Sequence, residues 1–414
     1  MTPPTRGYYA GIDTHSGTHT IALLDRTGAV LSTSTHDADP AGYDGLLALL
    51  DPSDCLGVGV EGTNSYGAAI TRRLLDAGHA VYEVLRPGRV VRRRDGKSDP
   101  IDAVEAARSV ISGQARALPK DSTGWAEALR VLTAARDRLV ETATALSNCA
   151  FALLVTAPED IRERYRRLDT PARMRALARC RPAGGIAAEA VLTALREQAR
   201  AWRELTGQAR NLERRMRSIL ETHAAPLLDI HGVGTIGAAR LAAAIGGDAT
   251  RIRNEAALAK LCGACPIPVS SGKTNRHRLN RSGHRQANRV LHQAAVTRLQ
   301  RHEPTRAYAA RRTREGKTKP EIIRCLKRYI VREVWQALKR IANGQTTRTT
   351  GTRLRELRKT HGITQQQIAQ ALNIAPSRIS EIETGKRTQP ELEQQCLQYI
   401  HNTTNTPTQQ LDTT

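Results

Sequence analysis

Aromatic residues are nearly missing from this chain: they make up 3% of its 414 residues, with a single Phe. That scarcity excludes a nucleic-acid protein that works mainly by stacking bases on aromatic platforms, and leaves Arg-phosphate contact as the dominant mode. The seven cysteines, Cys55, Cys149, Cys180, Cys262, Cys265, Cys325 and Cys396, show no disulfide-framework spacing, which agrees with a reducing compartment. No apolar run approaches the length of a membrane span. The start, Met1-Thr2-Pro3-Pro4-Thr5-Arg6, lacks the apolar stretch of a signal peptide, so the expectation is a cytoplasmic protein without a membrane partner.

Acidic residues are also the minority sign. Lys and Arg number 63 against 40 Asp and Glu, a net charge of +23, which points to a polyanionic partner, with nucleic acid the leading candidate. The excess is concentrated: residues 251–350 hold 24 Lys and Arg against 5 Asp and Glu, a net +19. At this length the chain can form two or three domains with their own cores.

Against that background, four acids stand out. Asp13 closes the apolar run Tyr8-Tyr9-Ala10-Gly11-Ile12, and Glu61 closes Gly57-Val58-Gly59-Val60. Strands ending in a carboxylate place that charge at the sheet's carboxyl edge, while Asp99 and Asp102, three apart at a helix start, share one face. Singly, each could be a helix cap or a solvated strand end. Together they suit a hard cation with oxygen ligands, Mg²⁺ or Mn²⁺, and phosphodiester chemistry.

Periodicity divides the chain. Three β-prone runs (8–13, 20–25, 30–35), a helix (41–50), a strand ending at Glu61, a helix (65–77) and a strand (80–84) have the order of a ribonuclease H-like sheet. From Gly124 the period turns helical, and 126–155 with 186–222 reads as two antiparallel helices of a coiled-coil-like spacer, used for dimerisation or for separating domains. The run Ile230-His231-Gly232-Val233-Gly234 before a helix at 236–245 resembles a helix-hairpin-helix, whose amides suit a phosphate. A basic loop follows, Pro266 to Lys273 with Ser270-Ser271-Gly272, and then Arg276, Arg278 and Arg281. A serine beside a glycine admits a phosphate closely and Arg or Lys can stabilise its transition state, although a plain Ser-Gly turn has the same spacing. Cys262, Cys265, His277 and His284 have finger-like spacing, but the intervening Ser-Gly loop replaces a finger helix and argues against zinc.

Residues 344–351 read as a Thr-rich linker. The segment beyond resembles a Cro/repressor-type helix-turn-helix: Thr364-Gln365 opens the scaffold helix, Ala369 is the small residue at the helix contact, and Ile379 and Ile382 anchor a recognition helix at Pro376 to Glu383. The resemblance implies that Gln365, Ser377, Arg378 and Ser380 face DNA. A protein-binding module with the same packing is the alternative.

From Tyr8 to about Ala342 the chain resembles the DEDD transposases of the insertion-sequence 110 family. The motifs, in order, are Gly11-Ile12-Asp13; Val60-Glu61-Gly62-Thr63-Asn64-Ser65-Tyr66-Gly67; Lys97-Ser98-Asp99-Pro100-Ile101-Asp102-Ala103; Ile230 to Gly234; Leu261-Cys262-Gly263-Ala264-Cys265-Pro266; Ser270-Ser271-Gly272; and Asn280-Arg281-Ser282-Gly283. The resemblance implies an α/β plus all-α protein with a RuvC-like metal-binding domain (7–117), a coiled-coil spacer (122–224) and a helical transposase domain with a catalytic serine (225–343). The linker (344–351), the helix-turn-helix (352–400) and a disordered tail (401–414) complete the expected organisation.

It further implies that Asp13, Glu61, Asp99 and Asp102 hold Mg²⁺ or Mn²⁺ and that Ser271 is the nucleophile, with the adjacent Ser270 as the alternative. Lys273, Arg276, Arg278 and Arg281 would contact nucleic acid. The implied partners are DNA (element ends and target), a guide RNA encoded by the element, and further copies in a dimer or tetramer whose site is composite. Two other functions remain open: a RuvC-like nuclease that cuts branched DNA without joining, and a DNA-binding regulator with an inert catalytic domain. The serine separates recombinase from nuclease, because metal-activated water does not require it.

Overall fold

Strand order in the N-terminal region follows from where apolar residues alternate and where carboxylates end them. In the computed structural model, which describes residues 7–84, 98–269, 277–280, 282–344, 351–384 and 389–405, β1 (Tyr8–Thr14), β2 (Thr18–Leu24) and β3 (Val30–Asp37) form an antiparallel meander. Helix α1 (Pro40–Leu47) leads to β4 (Cys55–Glu61), and α2 (Ala68–Asp76) leads to β5 (Val81–Val84). β4 lies parallel to β1 and β5 parallel to β4, giving the order β3-β2-β1-β4-β5. This is the expected ribonuclease H-like sheet. Its core is Tyr8, Ala10, Ile12, Val58, Val60, Ile70, Leu74 and Val81, all buried. The edge strand β3 is largely Ser, Thr and His and stays partly exposed, which discourages further strand pairing.

Helix α3 (Asp99–Ile111) packs on the other face of this sheet. It does so at unusually short range because both surfaces are made of small residues. A Cβ added at Gly11 would sit 2.1 Å from the Ala103 carbonyl oxygen, and one at Gly59 would sit 2.6 Å from that of Ala106. Glycine on the strands and alanine on the helix let the backbones meet, and the start of α3 comes to the carboxyl ends of β1 and β4.

The chain forms two compact units, residues 1–131 with 242–254 and residues 132–241 with 255–414. The boundaries at 131 and 241 fall inside the helices Trp125–Val155 and Gly234–Ile245. Segment 242–254 joins the first unit through contacts such as Lys120 Nζ to the Ala243 carbonyl oxygen at 3.4 Å.

In the second unit, α4 (Trp125–Val155) runs beside α7 (Ile186–His223). Thr133 meets Met216, Arg136 Nε donates to Glu213 Oε1 at 2.8 Å, and Gln198 meets Cys149. Positions rising along one helix match positions falling along the other, so the pair is antiparallel, as the sequence predicts. Helices α5 (Glu159–Arg166) and α6 (Thr170–Leu177) pack against one end of the pair around Leu154, Tyr165, Met174, Leu177 and Leu195. One expectation needs correction: α4 is long and apolar enough, by length and composition, to cross a membrane. Its Arg136 and Asp137 are instead paired within the unit, with Glu213 and Arg240.

Next come α8 (Gly234–Ile245), α9 (Glu255–Leu261), the short ribbon of β6 (Ile267–Pro268) and β7 (His277–Arg278), then α10 (Arg285–Arg301), α11 (Glu303–Arg314) and α12 (Lys319–Ala342). The C-terminal helix-turn-helix is α13 (Gly351–Thr360), α14 (Gln365–Ala371), α15 (Pro376–Glu383) and α16 (Pro390–Asn405) around Leu354, Ile363, Ile368, Ala369, Ile379, Ile382 and Cys396. Thr364 caps α14 with a capping box to Gln367, and Asn373 takes φ 51° in the turn, a left-handed position that Asn tolerates. Residues 401–405 of the expected disordered tail continue α16, because Ile400 packs in the module's core and holds the last turns in register.

Candidate metal centre and nucleic-acid interface

Asp13 and Glu61 end neighbouring parallel strands, with Ile12 paired to Val60 one residue earlier. Asp99 and Asp102 open α3, and Asp102 is buried while Asp99 is half exposed. Glu61, Asp99 and Asp102 all lie close enough to act on Asp13. Burial raises the Asp13 carboxyl above its usual range, His15 partly offsets this, and Glu61, Asp102 and Asp99 each push it further up. Asp13 is 4% exposed, and its buried Oδ2 has no hydrogen-bond partner. His15 Nε2 lies 3.2 Å from that oxygen without hydrogen-bond alignment. A buried carboxylate oxygen without a partner is unfavourable unless something else satisfies it. The donor set, carboxylates of one charge facing an orphaned oxygen, fits a divalent cation. Asp13, His15 and Asp99 by themselves bring ligand atoms within 4.8 Å of one another and could hold a metal ion.

Two supports are not legible from spacing. Thr14 Oγ1 donates to the Glu61 carbonyl oxygen at 2.8 Å, tying the two strand ends together. His15 bonds Asp99 Oδ1 at 3.2 Å, tying strand end to helix start. A histidine two positions after the strand-ending Asp13 is the only sequence signal of the second, and periodicity gives it no weight.

Of the basic loop, Arg278 is described and exposed at the end of β7. Ser270, Ser271, Lys273, Arg276 and Arg281 lie outside the described residues. What surrounds that loop is well defined. Gly263, with φ 62°, lies against Gly283 so closely that a Cβ on Gly283 would sit 2.3 Å from Gly263 N. Asn288 donates to the Cys262 and Gly263 carbonyl oxygens, and the His284 amide donates to the Leu261 carbonyl oxygen. The Leu261 to Pro266 and Asn280 to Gly283 motifs are thus one packed base carrying the ribbon β6-β7, whose connecting segment holds the serines. Cys262 is buried, with its thiol pushed up to about 12 by desolvation, and Asn280 donates toward Cys265.

The Gly232-Val233-Gly234 turn has both glycines left-handed, at φ 82° and 61°, as a tight hairpin before a helix requires. The preceding His231 carbonyl oxygen accepts from Arg298 Nε at 2.9 Å. Arg298 is itself buried and bidentate to Glu333 at 2.6 Å on both branches. Lys327 is buried too and donates to Asn288 Oδ1 at 2.6 Å, with its pKa lowered mainly by desolvation. Part of the basic excess is therefore structural, and the surface available to phosphates is smaller than the count suggests.

In the helix-turn-helix, Ser377 and Arg378 are exposed on the first turn of α15 and Ser380 is half-buried. Gln365 is half-buried, and its Nε2 donates to Glu383 Oε2 at 2.7 Å within the module. Glu383 also accepts from Arg358 at 2.6 and 3.1 Å, and Arg358 donates to the Ile363 carbonyl oxygen at 2.8 Å. The sequence offers no sign of this pairing, since partners 25 positions apart meet only through the fold.

Residues 10–157 match a family model for the DEDD transposases of the IS110 group, and residues 224–310 match that of the IS116/IS110/IS902 transposase family. Residues 354–394 match a helix-turn-helix model. No curated protein matches the chain.

Proposed function

Because the chain belongs to the IS110 family of DEDD transposases and carries a DNA-binding helix-turn-helix, we propose that this transposase cuts and rejoins DNA strands with two sets of groups, an acidic metal site and a serine nucleophile. Asp13, Glu61, Asp99 and Asp102 would hold the cation, Mg²⁺ or Mn²⁺. The observation that carries the reading is the buried, unpartnered Asp13 carboxylate oxygen facing three further acids. A divalent cation bound there polarises a phosphodiester and offsets its negative charge. The chain's own part is to keep four carboxylates converged: Thr14 fixes Glu61's strand end, and the close α3 packing fixes Asp99 and Asp102.

Ser271, with Ser270 as the alternative, would supply the nucleophile. Its Oγ bonds to phosphorus as the bond to the departing strand breaks, and the phosphoserine ester conserves the bond energy until a second strand end displaces it. Exposed Arg278 together with Lys273, Arg276 and Arg281 would contact the phosphates, and Ser377, Arg378 and Ser380 the DNA groove. A guide RNA and a dimer or tetramer with a composite site follow from the family resemblance. Seven unpaired cysteines agree with action in the reducing cytoplasm.

The test is covalent capture. Protein incubated with Mg²⁺, element-end DNA and any co-purifying RNA, then denatured and digested, should yield a nucleotide-bearing peptide spanning Pro268 to Lys273. Ser271→Ala should remove the adduct and Ser270→Ala should not. Strand cutting with no adduct would instead support a nuclease that uses water.

A further inference from the structure

We propose that His15 is a fifth donor of the acidic site and fits it to Mn²⁺ over Mg²⁺; the inference rests on the four-acid reading above. His15 follows β1 directly, and its amide donates to the Thr18 carbonyl oxygen at 2.9 Å, closing the β1-β2 turn. The backbone that carries the imidazole is therefore held by a hairpin rather than by a loose loop. From there Nε2 reaches 3.2 Å from Asp13 Oδ2 and 3.2 Å from Asp99 Oδ1.

Two features argue that this nitrogen serves more than a surface ion pair. The first is position: it faces the one buried oxygen in the cluster that has no hydrogen-bond partner. The second is that Asp99 receives no other described side-chain bond and Ser98 offers its helix no side-chain cap, so the imidazole is what ties the half-exposed Asp99 to Asp13. A carboxylate only accepts, so Nε2 carries the proton when it bonds Asp99. With the proton on Nδ1 instead, the same nitrogen presents a lone pair to the point where the two carboxylates meet.

A mixed nitrogen and oxygen donor set discriminates among cations. Mg²⁺ takes oxygen ligands in strict octahedral geometry and keeps its waters, whereas Mn²⁺, although the most weakly held of the divalent first-row transition metals, takes a nitrogen donor beside carboxylates more readily than Mg²⁺ does. An all-carboxylate site has no such bias. Removing the imidazole should therefore lower Mn²⁺ affinity and change Mg²⁺ affinity little.

Calorimetric titration of the full chain with MnCl₂ and with MgCl₂, in the absence of DNA, reads this without activity. His15→Ala should weaken Mn²⁺ binding by about 10-fold or more, the scale seen for groups that support metal ligands, with Mg²⁺ binding within about 2-fold. His15→Asn keeps a hydrogen-bond donor for Asp99 but no imidazole, and should behave as His15→Ala. Pulsed electron paramagnetic resonance of bound Mn²⁺ should show imidazole nitrogen coupling in the native chain and lose it in both variants. Equal weakening of both cations, rescue by His15→Asn, or absent nitrogen coupling would each overturn the proposal and reduce His15 to a positioning residue. Asp13→Asn separates the two readings. If it loses both cations while His15→Ala changes neither, only the fifth donor falls; if it keeps both with native affinity, the four-acid site falls with it.

Discussion

The end of the N-terminal sheet and the C-terminal helix-turn-helix each bury a carboxylate at 4% exposure, Asp13 and Glu383, and treat it in opposite ways. Glu383 receives Arg358 on both oxygens and Gln365 on one, so its charge is compensated inside the module. Asp13 faces like charges, keeps an oxygen unpartnered and has its carboxyl pushed above the normal range. A satisfied buried charge is part of how a module holds its shape; an unsatisfied one, kept against its own desolvation, marks a place where something else must bind.

The largest separation between the two regions should appear in activity. Asp13→Ala, Glu61→Ala or Asp102→Ala should reduce strand cleavage by about 10³-fold or more, because several kcal/mol of transition-state charge stabilisation goes with the cation. Circular dichroism should show each variant folded. Native cleavage rates in any of them with Mg²⁺ present would break the contrast at its first term.

Stability should move in opposite directions at the two carboxylates. Glu383→Ala leaves Arg358 buried without its partner and should destabilise the helix-turn-helix by about 3–5 kcal/mol, measured by hydrogen exchange over α13 to α16 in the full chain. Asp13→Asn removes a repelled charge and should stabilise the sheet unit by about 1 kcal/mol in metal-free buffer, at the expense of activity. The pH dependence has a definite sign. Since the folded Asp13 pKa is raised, the native state holds its proton more firmly than the unfolded chain does. The stability penalty is absent below the unfolded value and grows as pH rises through the folded one. Native protein and Asp13→Asn should therefore converge in stability as the pH is lowered toward 4, and diverge again toward neutrality. Loss of stability in Asp13→Asn at neutral pH would mean that the carboxylate is structural after all.

Gly11→Ala tests the packing that assembles the acidic site. Its Cβ would meet backbone atoms of Ala103 and Ala107, at 2.1 and 2.4 Å, and neither can swing aside. Overpacking of this kind costs about 1–3 kcal/mol, and the shift of α3 should weaken cation binding although no ligand is changed. Unaltered cation affinity would show that convergence does not depend on this contact. The smallest effect concerns the basic loop: neutralising Arg278 should reduce the slope of log affinity for DNA against log salt by about 1 and weaken all sequences alike. A sequence-selective loss would assign it to base reading instead.

Local pattern carried much of this protein. Alternation and strand-ending acids were enough for the order β1 to β5 and for Asp13 and Glu61 at one sheet edge, since side-chain direction repeats within a strand. The resemblance to a Cro/repressor-type helix-turn-helix put the recognition helix at Pro376–Glu383, where α15 lies. The tertiary structure alone decided the rest. That α3 approaches β1 and β4 through Gly11 and Gly59, that His15 joins Asp13 to Asp99, and that Arg298 and Lys327 are buried partners rather than phosphate contacts all depend on distances between segments remote in sequence. Periodicity says which face of an element is apolar. It does not say what that face meets, and whether a charged group is satisfied or left waiting for a ligand is a property of what it meets.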